Sequence, residues 1–183
     1  MFIAVDVEEP LLVSRLQSVM NSLASTNVDM KLVEPYNLHV TLRFIGEVSP
    51  GVAGEISRAL SRLSFKSFKV VFKGLGAFPS TLKPRVVWVG VSEGFKEMVE
   101  LRASIEKLLK SVGIPPERED FAPHLTLARI RGSRNLSSLV KLLNDMSDYD
   151  VGSMIVDRVR LKKSTLTSSG PIYETLLEVK ASQ

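Results

Sequence analysis

The sequence predicts an α+β protein of two pseudo-symmetric lobes, each built as strand–helix–strand–helix–strand, with antiparallel sheets around a central cleft. Two observations predict it. The two histidines of the chain, His39 and His124, each open the pattern H-x-T-L, in "HVTLRFIG" (39–46) and "HLTLARIR" (124–131). Around them the order of strand-like and helix-like segments recurs at the same offset of 85 residues. That both histidines should draw Thr and Leu at those places by chance is an event of roughly 1 in 10,000.

The elements follow in order. Residues 2–7, "FIAVDV", form a short apolar, β-branched strand, and at the offset they fall on 87–92, within the apolar stretch "PRVVWVGV" (84–91) and its neighbour Ser92. From Glu8 to Leu23 a helix places Leu12, Leu16, Val19 and Leu23 on one stripe. Its counterpart from Glu93 to Leu108 places Phe95, Val99, Arg102, Ile105 and Leu108 likewise, with Leu109 just beyond. Acidic residues open both, where a helix dipole favours them. The histidine strands come next, followed by helices from Pro50 to Leu63 and from Asn135 to Met146. "FKVVFKGLGAF" (68–78) and "SMIVDRVRLKK" (153–163) are strand-like, although "GLGAF" (74–78) reads as a turn. A last strand, "IYETLLEV" (172–179), closes the chain after the turn signal "SSGP". The chain is therefore one two-lobed domain over 1–183, duplicated over about 1–80 and 86–165. No Gly-, Ser- or Pro-rich linker separates the halves, since "PSTLKP" (79–84) is only a turn, so the lobes should share sheet edges.

Composition narrows the chemistry. At 183 residues with 44% hydrophobic and 24% charged residues the chain has an ordinary globular make-up and enough length for a sizeable interior. The absence of cysteine excludes a disulfide framework and thiolate metal sites. The start, "MFIAVDVEEP", shows no basic segment followed by a long apolar run, so neither a secretory signal nor a membrane anchor is expected and the location expected is cytoplasmic. The net charge of +4 suits an anionic partner such as a phosphate ester or nucleic acid. Two basic clusters carry it: Arg129, Arg131 and Arg134, and the run Arg158, Arg160, Lys162 and Lys163.

Alternate side chains of a strand share a face. Leu38, Val40, Leu42 and Phe44 should then face the core, leaving His39, Thr41 and Arg43 on the other side. In the second motif Leu125 and Leu127 face inward, and His124, Thr126 and Ala128 outward. Each strand thus presents an imidazole beside a hydroxyl. Imidazole titrates near neutrality, so one histidine can be neutral while its twin is protonated. Phosphodiester cleavage needs that pair, one group to take a proton from the attacking oxygen and another to give one to the leaving oxygen. Thr41 and Thr126 can donate hydrogen bonds to the non-bridging oxygens as charge builds there, and Arg43 can neutralise phosphate. Nothing in this pattern calls for a metal, since the histidines lack metal-ligand spacing, and no cofactor is expected.

These residues carry a resemblance. Paired H-x-T motifs on repeated strands resemble the two-histidine phosphoesterase superfamily, and within it the RNA 2′,3′-cyclic phosphodiesterases, first named 2′-5′ RNA ligases. The likeness spans almost the whole chain, through "MFIAVDV", "LHVTLRFIGEV", "PRVVWVGV", "FAPHLTLARI" and "KSTLTSSGPIYETLLEV". It implies a bilobal α+β fold with both histidines in a central cleft. The activity it implies is metal-independent opening of a terminal RNA 2′,3′-cyclic phosphate to a 2′-phosphate. In those terms His124 is the proton acceptor and His39 the proton donor, with Thr41 and Thr126 on the phosphate. The family's arginine five residues after the second histidine falls on Arg129. Strict alternation puts Arg129 on the face opposite His124, so it reaches the cleft only through a bulge.

The remaining features are secondary. Phe2, Tyr36, Phe44, Phe121 and Tyr173 are candidates to stack a terminal base, Phe2 foremost, whereas alternation sends Phe44 to the core. Trp88 is expected in the core. "PPERED" (115–120) reads as a charged loop near the cleft entrance, and "KSTLTSSGP" (163–171) as a loop over the cleft. The partners expected are RNA ends or small cyclic nucleotide phosphates, with no membrane, and the protein is expected to be a monomer. Two other functions fit the same features. A 2′-5′ RNA ligase would need a basic track for two RNA ends, and a non-catalytic RNA-binding module would need neither histidine.

Overall fold

The computed structural model describes residues 1–117, 120–168 and 170–182. Within these lie nine strands and four helices. In chain order they are β1 (Phe2–Asp6), α1 (Pro10–Ala24), β2 (Met30–Leu32), β3 (His39–Phe44), α2 (Pro50–Leu60), β4 (Phe68–Phe78), β5 (Val86–Glu93), α3 (Phe95–Lys110), β6 (His124–Ile130), α4 (Leu136–Asp145), β7 (Asp150–Val156), β8 (Arg158–Thr167) and β9 (Gly170–Lys180). A 3₁₀ turn at Pro35–Asn37 leads into β3.

The helices start where local chemistry satisfies their free N–H groups. The Glu9 carboxylate accepts from the Leu12 amide at 2.5 Å and Ser49 Oγ accepts from the Val52 amide, each with proline in the first turn. Gly94 precedes α3 with φ of +79°, and a Cβ there would stand 2.4 Å from the Lys69 carbonyl oxygen, so only glycine fits. One stripe of each helix is buried: Leu12, Leu16, Val19, Met20 and Leu23 in α1, and Met98, Leu101, Arg102, Ile105 and Leu109 in α3. No helix among the described residues is long and apolar enough to cross a membrane.

The strands form one antiparallel sheet in the order β7-β4-β5-β6-β3-β1-β8-β9, with β2 pairing the far end of β6. The two histidine strands meet at its centre through the pair Val40↔Leu125. Each lobe of the sheet draws on both repeats. β4 leaves the first repeat to pair β5 and β7, and β8 leaves the second to pair β1. The segment expected as one strand over 153–163 is two, β7 and β8, broken at Asp157. Equivalent rungs of β1 and β5 also differ by 84 rather than 85 residues, because Val5↔Val40 and Val89↔Leu125 occupy matching places.

Two expected loops are strand. "GLGAF" lies inside β4, where the register slips around Lys73 and Gly74. Its second glycine is there for close approach, since a Cβ on Gly76 would lie 2.3 Å from the Trp88 ring. Of the expected loop, residues 163–167 lie in β8 and residues 170 and 171 in β9, paired with one another as a hairpin, and residue 169 lies outside the described residues.

Candidate active site

The same irregularity interrupts both histidine strands and decides which side chains face the cleft. In β3 the register with β1 runs Ala4↔Thr41 and then Ile3↔Arg43, so Leu42 is an extra residue. In β6 the register with β5 runs Trp88↔Thr126 and then Val87↔Ala128, so Leu127 is the extra residue. A bulge turns two consecutive side chains to one side and reverses the alternation beyond it. Accordingly Leu42 and Arg43 are both buried, as are Leu127 and Ala128, while Phe44 and Arg129 emerge on the histidine face. The bulge that Arg129 required is present. Phe44, expected in the core, is instead 58% exposed.

Arg43, expected on the phosphate, points into the opposite side of the sheet and is 7% exposed. Its Nε lies 2.7 Å from Glu106 and its guanidinium donates to the Pro115 and Phe44 carbonyls, with Glu117 at 3.8 Å. Arg102 completes the cluster, 2.7 Å from Glu117 and 3.5 Å from Glu106, with its guanidinium 4.8 Å over the Phe121 ring. Arg43 and Phe121 therefore hold the segment that leads into β6 and lie away from the cleft. Of the expected loop 115–120, Glu117 is tied into this cluster, and residues 118 and 119 lie outside the described residues.

The imidazoles are held alike. His39 Nδ1 is 2.7 Å from the Asn37 carbonyl oxygen and His124 Nδ1 is 2.8 Å from the Ala122 carbonyl oxygen. A carbonyl only accepts, so each Nδ1 carries hydrogen and each Nε2 is the nitrogen that can exchange a proton. Each ring also meets an aromatic edge-on, Tyr173 at 5.4 Å from His39 and Phe78 at 5.0 Å from His124. The pair Val40↔Leu125 sets His39 across from Thr126 and Thr41 across from His124. Two imidazoles and two hydroxyls thus form a four-cornered group on one face. The histidines are near enough that the charge of one bears on the other.

Their surroundings differ in charge. Asp6 is the ladder partner of His39, whereas Gly90 is that of His124. Burial pushes His39 below its ordinary value, opposed by the Asn37 hydrogen bond and by Asp6. Asp6 also holds Lys162 at 2.7 Å and Arg160 at 2.6 Å, and Arg160 pairs Glu8 and Glu178 besides. Arg158 pairs Asp157. The run at 158–162 is thereby neutralised and offers no basic track. Arg129, Arg131 and Arg134 form no ion pair among the described residues.

The aromatic candidates separate by burial. Phe2 is on the histidine face, but it is 4% exposed beneath His39 (5.1 Å), Tyr173 (4.9 Å) and Phe44 (6.2 Å). It backs His39 and offers no open ring for stacking. Tyr36 is exposed on the 3₁₀ turn. Trp88 is not in the core; it pairs Thr126 on the histidine face, 6.3 Å from His124. Sequence reasoning missed Asp6 and Phe78 as neighbours of the histidines. Asp6 left one signal, as the single charged residue of an apolar strand.

The model of the LigT like Phosphoesterase family matches twice, over residues 8–88 and 89–173. A protein of Aeropyrum pernix named RNA 2′,3′-cyclic phosphodiesterase is 54% identical over 170 residues, covering 93% of this chain and 97% of its own. One of the same name from Methanothermobacter thermautotrophicus is 40% identical, covering 94% and 93%. Among solved structures, Escherichia coli LigT in apo form superposes with a TM-score of 0.80 at 21% identity, over 100% of this chain and 96% of the other. Its complex with 3′-AMP gives 0.76, again at 21% identity, over 100% and 97%.

Proposed function

The chain belongs to the LigT-like phosphoesterase family, and on that premise we propose that it is an RNA 2′,3′-cyclic phosphodiesterase that works with the proton-exchanging nitrogens of His39 and His124. The observation that carries the reading is the matched pair of imidazoles, each fixed through Nδ1–H to the carbonyl two residues before it, on strands joined at one rung. Acid–base catalysis needs two proton-exchanging nitrogens held in fixed tautomers beside one phosphorus, and this arrangement supplies them.

In the proposed reaction a water attacks the phosphorus of the five-membered ring and His124 Nε2 takes its proton. The bond from phosphorus to O3′ breaks as His39 Nε2–H protonates that oxygen, leaving a 2′-phosphate and a free 3′-hydroxyl. The Thr41 and Thr126 hydroxyls donate to the non-bridging oxygens, and Arg129 balances their charge. Asp6 supports His39 as the donor, because its carboxylate favours the protonated ring and His124 has no such neighbour across its rung. In the free protein burial outweighs that carboxylate, and the negative charge of a substrate seated beside the ring adds to Asp6 in favouring the protonated form.

The substrate class is RNA ends, met by a monomer in the cytoplasm. A ligase holding two RNA ends is the weaker reading, since Arg158, Arg160 and Lys162 are occupied by carboxylates. The test is a short RNA ending in a 2′,3′-cyclic phosphate, incubated with the protein in EDTA. A 2′-phosphate product that disappears in both His39→Ala and His124→Ala is the result expected. An intact ring with the wild type, or full activity in either variant, refutes it.

A further inference from the structure

The two halves of the site match in their imidazoles and hydroxyls but not in what stands five residues beyond each histidine. In β6 that place holds Arg129, and in β3 it holds Phe44, which brings no polar group to the phosphate. On the Phe44 side a polar group arrives from another strand. Tyr173 of β9 packs its ring against His39 (5.4 Å, interplanar angle 88°) and Phe2 (4.9 Å), and the Lys162 ammonium stands 5.7 Å from its centroid. The matching ring on the other half, Phe78 against His124, has no hydroxyl. The hairpin that carries Tyr173 spans one end of the cleft. Asn37 Nδ2 donates to the Pro171 carbonyl, which fastens it to the turn before His39, and at its tip Gly170 lies against the side chain of Lys31, the ladder partner of Arg129. Tyr173 therefore stands between His39 and the Arg129 end of β6, and the charge of Arg129 bears on its hydroxyl. A tyrosine hydroxyl in a half-buried place ordinarily finds a partner, yet this one has no hydrogen bond among the described residues. Burial pushes it above its ordinary value, against the opposing charge of Arg129, so it carries its proton at neutral pH and is a donor.

We propose that the Tyr173 hydroxyl donates a hydrogen bond to one non-bridging oxygen of the cyclic phosphate, the one turned toward β9. This rests on the phosphodiesterase reading above. The non-bridging oxygens gain charge as the attacking oxygen bonds to phosphorus, so a donor fixed beforehand acts more strongly there than in the ground state. Tyr173 is fixed beforehand, because Phe2, His39 and Lys162 surround its ring. With the ring so occupied, its part is the hydroxyl and not the stacking of a base. Thr41 and Thr126 are related by the same pseudo-symmetry as the histidines and treat the two oxygens alike, whereas Tyr173 has no counterpart. The enzyme accordingly distinguishes the two non-bridging oxygens, and the hydroxyl of Tyr173 is what distinguishes them.

The experiment uses a short RNA ending in a 2′,3′-cyclic phosphate and its two phosphorothioate diastereomers, in which sulfur, a weak acceptor, replaces one or the other non-bridging oxygen. Wild type and Tyr173→Phe are compared in EDTA with enzyme in excess, so that slow substrates are followed to completion, and thermal melting is recorded for both proteins. The expected result is a loss of about tenfold or more in kcat/KM on the all-oxygen RNA and on one diastereomer, and of less than about threefold on the other. The Tm of the variant should stay within about 2 °C of wild type, since the ring and its contacts are kept. Equal losses on the two diastereomers, or no loss on the all-oxygen RNA, overturn the proposal and leave the phosphodiesterase reading standing. A larger fall in Tm assigns the hydroxyl to the fold and overturns it as well. A wild-type protein that opens none of the three rings overturns the phosphodiesterase reading itself, and the proposal with it.

Discussion

Replacing Arg43 with methionine separates a structural role from a catalytic one. Arg43 is on a histidine strand two residues beyond Thr41, so alternation makes it a phosphate ligand. The bulge at Leu42 makes it the centre of a buried ionic cluster instead. Breaking a fully buried ion pair from one side costs about 3–5 kcal/mol, because the partner is left uncompensated. Here the Glu106 and Glu117 side chains keep 21% and 29% of their exposure, and Arg102 still stands 3.5 Å and 2.7 Å from them. The cost therefore falls to about 2–3 kcal/mol. In a domain of this size that lowers Tm by roughly 4–12 °C. With a total stability of about 5–15 kcal/mol the variant stays folded at 25 °C, and kcat/KM on a cyclic phosphate should lie within about twofold of wild type. Scanning calorimetry and steady-state kinetics on the same preparation measure both. Arg43→Met with Glu106→Met should recover at least half of the lost stability, since a buried pair replaced by apolar residues of similar volume is often neutral. An unchanged Tm with a tenfold or greater loss of kcat/KM would refute the argument and return Arg43 to the phosphate.

Three further outcomes follow from the site. His39→Ala and His124→Ala should each lower kcat by about 10²–10⁴ with circular dichroism unchanged, measured on the cyclic-phosphate RNA. Because burial lowers the His39 value below 6.5, the unfolded chain binds more protons between the folded value and 6.5, so stability falls as pH drops through that window. Urea unfolding at several pH values should show that fall for wild type and a smaller one for His39→Gln. Phe2→Ala should cost about 3–5 kcal/mol as a core truncation, whereas Phe44→Ala should leave stability within about 0.5 kcal/mol. The exposed Phe44 ring can instead stack the terminal base, and its loss should raise KM for a cyclic nucleotide about fivefold or more, a stacked base contributing about 1–3 kcal/mol.

How much of this was legible in the sequence turns on one residue in each histidine strand. Periodicity located β1, both histidine strands and all four helices, because a period of 2 or 3.6 is a local property that burial enforces. The two H-x-T-L patterns located the chemistry. What periodicity could not contain is the extra residue after each H-x-T, since Leu42 and Leu127 are ordinary strand leucines and the bulge exists only relative to a partner strand. From that one place arise the errors over Arg43 and Phe44 and the open question over Arg129. The basic run at 158–162 failed for a related reason. Charges counted along one strand say nothing of the carboxylates that β1 and β9 bring alongside it. Phe2 failed because sharing a face with His39 does not decide whether a side chain from another strand covers it. Here Tyr173 does.

The near-symmetry of the site also explains where its asymmetry must come from. The histidines share one tautomer, one carbonyl anchor and one edge-on aromatic contact, so nothing in the motif itself can make one a donor and the other an acceptor. The difference enters from the flanking strands, at matching rungs. β1 puts Ala4 beside Thr41 and Asp6 beside His39; β5 puts Trp88 beside Thr126 and Gly90 beside His124. A carboxylate on one side opposes the burial that lowers His39, whereas an uncharged indole and a glycine occupy the matching places on the other. Asp6 is at the same time bound to Lys162 and Arg160, which temper its field and fix its position. The charge that distinguishes the two histidines therefore enters from the β1–β8 side of the sheet, while Arg129 stands on β6 itself.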